Sequence, residues 1–452
     1  MNRKPNTALK AWQRMVYGLP YLGYSIATLP VIAFIPGFYE TERGLNLAAI
    51  GLMIALTRVT DAFTDPLIGW ISDRLRTPIG RRKPVILVGL PLMCLAVWML
   101  FVPPDDVRLS YVFIWSALLY LGFTLVDLPF KALGAELSPY YDERASIAGW
   151  REGMGLIGML LGFVAASYVA LAKDGGLGDQ LYIMAIIAVI ATPLLFTLSM
   201  CLLREPTPAL EKKNVSVSVK IRQVWRNGMF KILLLISLVL VASEFGASAL
   251  KALIFEHIFF RPDLFPVLLL SEIMTMVISI PFWLWLSKGY SKHQAIGFAA
   301  LWGGFISLTI PVLASGSLAI FFALSLLKAT SVGAITVLAN GMAADVIDID
   351  EARTGETRTG IYFAFWGMVN KGAVAIGVLV ATNLPGLMGY QVLDTGAQGT
   401  WTLIWTYGFL TGIGFLAISP VIFRWRLTRK RQDRIRAAIK RRNTRLAKRP
   451  EA

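Results

Sequence analysis

The chain has 452 residues, of which 56% are hydrophobic and only 16% charged, with a mean hydropathy of +0.61. A soluble domain carries about 25% charge, so a water-soluble enzyme or binding module is excluded and the class is integral membrane. The formal charge of +16 is no nucleic-acid signature, because its basic residues cluster where a membrane protein keeps them on the cytoplasmic side.

A bilayer-crossing helix takes roughly 20 residues, and the apolar runs give twelve in order. Long unbroken runs without period-two alternation exclude a transmembrane barrel. Span 1 is expected over 12–38, broken by Pro20, Pro30 and Pro36, and span 2 over 47–72. Span 2 places Arg58, Asp61 and Asp65 at steps of three and four, on one side of a helix. Charges at mid-bilayer cost about 2.5 to 3.5 kcal/mol each on insertion scales, so three in one span require a partner or a use. The loop that follows, Gly69 to Lys83, carries Asp73, Arg74, Arg76, Arg81 and Arg82. Gly69, Asp73, Arg74, Arg81 and Arg82 are read as a conformational latch; a plain topology signal accounts for the arginines but less well for Gly69 and Asp73.

Spans 3, 4, 5 and 6 are expected over 85–102, 109–135, 145–171 and 181–203. Span 4 carries a second stripe, Thr124, Asp127 and Lys131, and span 5 holds Arg151. The Asp127/Lys131 pair reads equally as an i, i+4 salt bridge or a substrate contact, and Arg151 as a substrate residue or a side chain snorkelling to the headgroups. Residues 204–230 form a polar connection dividing the chain into bundles 1–203 and 231–424. Spans 7 to 12 follow over 231–258, 265–286, 293–313, 318–344, 359–384 and 400–424, with Glu244 and Lys251 on span 7 and Lys371 on span 11. The connections A-E-L-S-P-Y-Y-D-E-R (135–144) and A-D-V-I-D-I-D-E-A-R (344–353) echo each other 208 or 209 positions apart. Six plus six spans around a hinge is the architecture of paired transporter halves.

The tail, 425–452, has twelve basic residues between Arg426 and Arg449, fit for anionic lipid headgroups at about 1 kcal/mol per residue. The positive-inside asymmetry places both termini in the cytoplasm. Cys94 and Cys201 fall in apolar spans, and His257 and His293 lack companions for a metal site; no cofactor is expected beyond a coupling ion.

With these residues in hand, the chain resembles the glycoside-pentoside-hexuronide:cation symporters, the melibiose-carrier-like branch of the major facilitator superfamily. The resemblance rests on R-x-x-D-A-x-x-D-P-x-x-G (Arg58 to Gly69), D-L-P-F-K-A-L (Asp127 to Leu133) with Glu143-Arg144, and A-D-V-I-D-I-D-E (Ala344 to Glu351) leading to Lys371. It implies an all-helical fold of twelve spans and a bacterial inner-membrane setting. It further implies that Asp61 and Asp65 ligate the coupling cation, with Thr124 adding a hydroxyl and Lys371 approaching from the other half. Asp127 and Arg151 would face a small-molecule substrate. Two positions depart from the sugar carriers: Ser25 stands where they have a span-1 aspartate, and Lys131 where they have a ring for sugar stacking. Both speak against a neutral sugar and leave an anionic or amphipathic solute open, since the family includes sodium-dependent lysophospholipid carriers.

Two carboxylates one helical turn apart in low dielectric repel each other, so one takes a proton or a cation sits between them. Sodium and a proton both satisfy this, and a purely structural ion-pair network is the bland alternative. A proton-coupled exporter or facilitator on the same skeleton is the nearest competing function. A membrane enzyme or assembly factor is the weakest, since no nucleophile–base pair or phosphate-binding loop appears.

Overall fold

A computed structural model describes residues 10–28, 30–138, 141–203, 205, 224–314, 316–354, 359–389, 397–425, 427, 432, 434 and 435. Most of the expected polar connection and of the basic tail lie outside the described residues. Helices dominate: α1 (Ala11–Gly18), α2 (Pro20–Thr28), α3 (Pro30–Ala33), α4 (Ile35–Thr41), α5 (Leu47–Arg74), α6 (Lys83–Phe101), α7 (Leu109–Glu136), α8 (Tyr141–Lys173) and α9 (Leu177–Leu202). Then come α10 (Gly228–His257), a 3₁₀ turn (Pro262–Leu264), α11 (Phe265–Gly289), α12 (Lys292–Leu313), α13 (Leu318–Thr354), α14 (Thr359–Leu387) and α15 (Ala397–Phe423).

The first span is divided into α1 to α4, with breaks at or beside Pro20, Pro30 and Pro36, as expected from prolines that remove a donor and clash with the preceding turn. Eleven stretches among the described residues are long and apolar enough to cross a membrane. The twelfth, α5, is 28 residues long and stands apart because it carries Arg58, Asp61, Asp65, Asp73 and Arg74.

The expected loop from Gly69 begins only after Arg74, where α5 ends, and the largest boundary difference is at span 10. The run 344–353, read as a connection, is the last three turns of α13, which ends at Thr354. Nothing in A-D-V-I-D-I-D-E-A-R breaks a helix, and two of its acids are held by partners: Lys292 Nζ meets Asp345 at 2.8 and 2.9 Å, and Gln432 Nε2 donates to Asp348 at 2.8 Å. The paired echo, 135–144, spans the end of α7 and the start of α8.

The chain divides into two compact units. The first comprises 1–210, 248–270 and 378–403, the second 211–247, 271–377 and 404–452, so α10, α11, α14 and α15 each contribute a segment to both. Small residues let helices approach closely in the first unit: Gly23 faces Thr192 of α9, Gly122 faces Met93 of α6, and Gly158 of α8 faces Leu22. Tyr17 and Phe130 stack at 4.5 Å, and Tyr17 Oη donates to the Phe130 carbonyl. In the same unit Phe34 meets Phe265 at 4.6 Å, and the buried Glu40 faces His257 at 3.3 Å. The core of the second unit gathers Phe230, Leu233, Ile296, Tyr362, Trp366 and Phe415.

Candidate functional site

The first unit concentrates intramembrane charge on α5 and α7, with α2 and α8 closing its sides. On α5, three- and four-residue spacing aligns Arg58, Asp61 and Asp65. Arg58 Nη1 lies 3.5 Å from Asp61 Oδ2, and its guanidinium sits 3.7 Å from the Tyr120 ring centroid. That face stabilises a cation by about 2 kcal/mol or more when desolvated. Asp61 is only 3% exposed.

Thr124 of α7 donates its hydroxyl to Asp65 Oδ1 at 2.9 Å. A hydroxyl that donates to a carboxylate keeps lone pairs free to accept. Asp61, Asp65 and Thr124 therefore present hard oxygen donors, which suit sodium; a carboxyl of the same pair equally suits a proton.

One turn further along α7, Asp127 accepts from Tyr21 Oη of α2 and pairs with Lys131 Nζ at 2.7 Å. Lys131 remains 48% exposed, so its ammonium has donors to offer beyond Asp127. Arg151 of α8 stands 5.3 Å from the Tyr21 ring centroid and binds Glu152. Ser25 packs its hydroxyl against Gly155 of α8, at a helix crossing beside this cluster. Tyr21, which links Asp127 to Arg151, escaped the sequence reading because an aromatic residue in an apolar span signals nothing by itself.

Lys371 lies in the second unit, half-buried on α14, beside Asn370, whose side-chain oxygen accepts from Ser237 of α10 at 2.5 Å. The second unit also holds an ion pair that the sequence reading missed: Lys328 Nζ of α13 contacts both Glu244 carboxylate oxygens at 2.9 Å and lies 5.0 Å from the Tyr407 ring centroid. Glu244 was grouped with Lys251 by their shared helix face. A lone lysine within F-A-L-S-L-L-K-A-T was the available signal.

The loop after α5 is held within the first unit. Arg81 and Arg82 both reach Glu136 at 2.8 Å, and Arg82 Nη1 donates to Ser72 at 2.8 Å. Glu205 accepts from the backbone amides of Arg81, Arg82 and Lys83 at 2.9 to 3.4 Å, covering the N-terminus of α6, where unpaired amides and the helix dipole favour an anion. In return, Lys83 Nζ donates to the carbonyls of Met200 and Leu203 at the end of α9. Gly80 adopts φ +118° against Glu205, a conformation that a side chain would strain. Arg74 covers the Trp70 ring at 4.3 Å, and a side chain at Gly69 would touch Leu128. The Asp73 side chain lies outside the described residues.

Residues 16–429 match the family described as MFS/sugar transport protein. The glucuronide carrier protein homolog of Escherichia coli is 24% identical over 91% of this chain and 92% of its own length. The isoprimeverose transporter of Lactiplantibacillus pentosus is 21% identical over 91% and 88%, and the mouse sodium-dependent lysophosphatidylcholine symporter 1 is 25% identical over 78% and 74%. Among solved structures, the nucleoside transporter NupG superposes with a TM-score of 0.63 at 14% identity, covering 90% of this chain and 99% of its own. A bacterial homolog of the lysosomal transporter Spinster gives 0.67 at 11%, covering 93% and 98%; both likenesses concern the fold. The chain is a multi-pass membrane transporter with the major facilitator fold, not an enzyme, and it belongs to the MFS/sugar transport protein family, as its glycoside-pentoside-hexuronide:cation symporter motifs imply.

Proposed function

We propose that the protein is a cation-coupled symporter that carries a small organic solute with an anionic group by alternating access. The observation that carries this reading is the Thr124–Asp65 hydrogen bond of 2.9 Å in an apolar span, with the buried Asp61 one turn before Asp65 on α5. Intramembrane carboxylates are costly and mark ion pathways, and the relative named as a sodium-dependent symporter supports the same chemistry. The coupling ion is sodium or a proton.

Asp127, Lys131, Tyr21 and Arg151 receive the solute, with Ser25 at their edge. Asp127 and Tyr21 engage hydroxyls, and the exposed ammonium of Lys131 meets a carboxylate, sulfate or phosphate. A sugar acid or an anionic amphiphile satisfies both, in keeping with relatives named for glucuronide and lysophosphatidylcholine. The two halves, 1–203 and 231–424, joined by the 204–230 connection, rock about a midplane site in the bacterial inner membrane, with both termini cytoplasmic, the end of α5 and the loop after it (Gly69, Asp73, Arg74, Arg81 and Arg82) acting as latch, and the basic tail on anionic lipid.

Purified protein in liposomes tests this. Uptake of a glucuronide or lysophospholipid that follows an imposed inward sodium or proton gradient is the expected result. Uptake indifferent to both gradients would refute coupling.

A further inference from the structure

Two sets of glycines lie on α8. Gly155, Gly158 and Gly162 are closed against Tyr21, Ser25, Leu22 and Ile26 of α2, whereas a Cβ on Gly149 or Gly153 would meet nothing within 4 Å. A helical glycine costs about 1 kcal/mol relative to alanine, and the first set recovers that through close helix packing. The second set recovers nothing of the kind and instead leaves a trough of about 340 Å³, lined by Ser146, Gly149, Trp150, Gly153, Met154 and Ile157. The lining is apolar along its length except at Ser146.

That polar end is where Arg14 of α1 arrives, its Nη1 donating to Ser146 Oγ at 2.9 Å. Among the described residues no carboxylate pairs with Arg14, and its buried Nε has no acceptor. The one acid in this stretch of α8, Glu152, is already bound to Arg151. Trp12 of α1 and Trp150 of α8 are 47% and 38% exposed, as tryptophans at headgroup depth are. Among the described residues, a cation without a counter-ion thus heads an apolar groove.

We propose that the trough holds an acyl chain of an anionic glycerophospholipid from the leaflet at the N-terminal end of α8, with its phosphate on Arg14. The phosphate supplies the acceptors that Arg14 lacks, in the fork geometry that guanidinium groups favour. The chain fills the space that Gly149 and Gly153 leave open. This site is separate from the Asp61/Asp65 and Asp127 clusters and does not depend on the transport reading.

Native mass spectrometry of the full-length protein, given equal phosphatidylglycerol and phosphatidylcholine with matched chains, tests it. The expected result is that Arg14→Gln retains one phosphatidylglycerol fewer than the wild type, whatever the basic tail holds, with affinity at this site down about fivefold. Arg14→Lys recovers part of it, Gly153→Leu loses the bound lipid, and inorganic phosphate does not displace it. Equal retention in wild type and Arg14→Gln, or displacement by inorganic phosphate alone, would overturn the proposal. Gly149→Val serves the same purpose as Gly153→Leu should that variant fail to fold, and full lipid retention in a folded trough variant counts against it.

Discussion

Lys328 is the side chain whose loss should cost the second unit most. Its ammonium is 1% exposed, against 16% for Glu244, and it contacts both carboxylate oxygens at 2.9 Å with the Tyr407 ring on another side. Lys328→Met keeps the side chain's length and removes the charge, which leaves the Glu244 carboxylate at membrane depth without this cation. Removing one partner of a buried pair costs about 3 to 5 kcal/mol, and losing a desolvated cation–π contact adds up to about 2. Glu244→Gln removes the carboxylate in contact with the ammonium and should cost about the same. The double variant Glu244→Gln/Lys328→Met leaves neither charge behind and should recover most of the loss, with a coupling energy of about 2 kcal/mol or more. Unfolding in mixed micelles titrated with a denaturing detergent yields the four free energies. Additive single losses, or a Lys328→Met cost below about 1 kcal/mol, would mean that the pair is solvated and that the burial argument is wrong.

Four further outcomes follow from the first unit. Thr124→Val keeps the shape but removes the hydroxyl on Asp65; the half-saturating concentration of the coupling ion should rise about tenfold, the effect of about 1.4 kcal/mol, as read from ion-dependent uptake, while thermal stability changes little. Glu205→Gln weakens the anion at the α6 N-terminus and should destabilise by about 1 to 2 kcal/mol, measured by the same micelle titration; Gly80→Ala should destabilise as well, because its φ of +118° is strained for any side chain. Lys131→Gln should weaken uptake of an anionic solute about tenfold or more through its half-saturation, while a neutral analogue is spared, in a competition assay with both.

Much of this was legible in the sequence, and the reasons differ by element. Hydropathy runs place the spans within a few residues because a helix in lipid must satisfy its own backbone. Prolines 20, 30 and 36 mark where the first span breaks. Spacing alone puts Asp61 beside Arg58, and family motifs join Asp65 to Thr124. The Lys328–Glu244 pair was not legible, since its partners lie 84 positions apart and nothing local ties one to the other. The seat of Glu205 was hidden for the same reason: its acceptors face backbone amides, which carry no sequence signal. The long end of α13 was misread because acidic residues suggest a loop, whereas Lys292 and Gln432 keep those acids on a helix.

The central claim is that a mobile cation balances the carboxylates of α5 and that its arrival favours loading of the solute. Gradient-driven uptake by Asp61→Asn and Asp65→Asn in liposomes, alongside solute exchange without a gradient, measures it most directly. The account predicts that both variants fold and at least one still exchanges solute, but that neither concentrates it on a sodium or proton gradient. Accumulation at wild-type levels in both variants, with unchanged ion dependence, would contradict it.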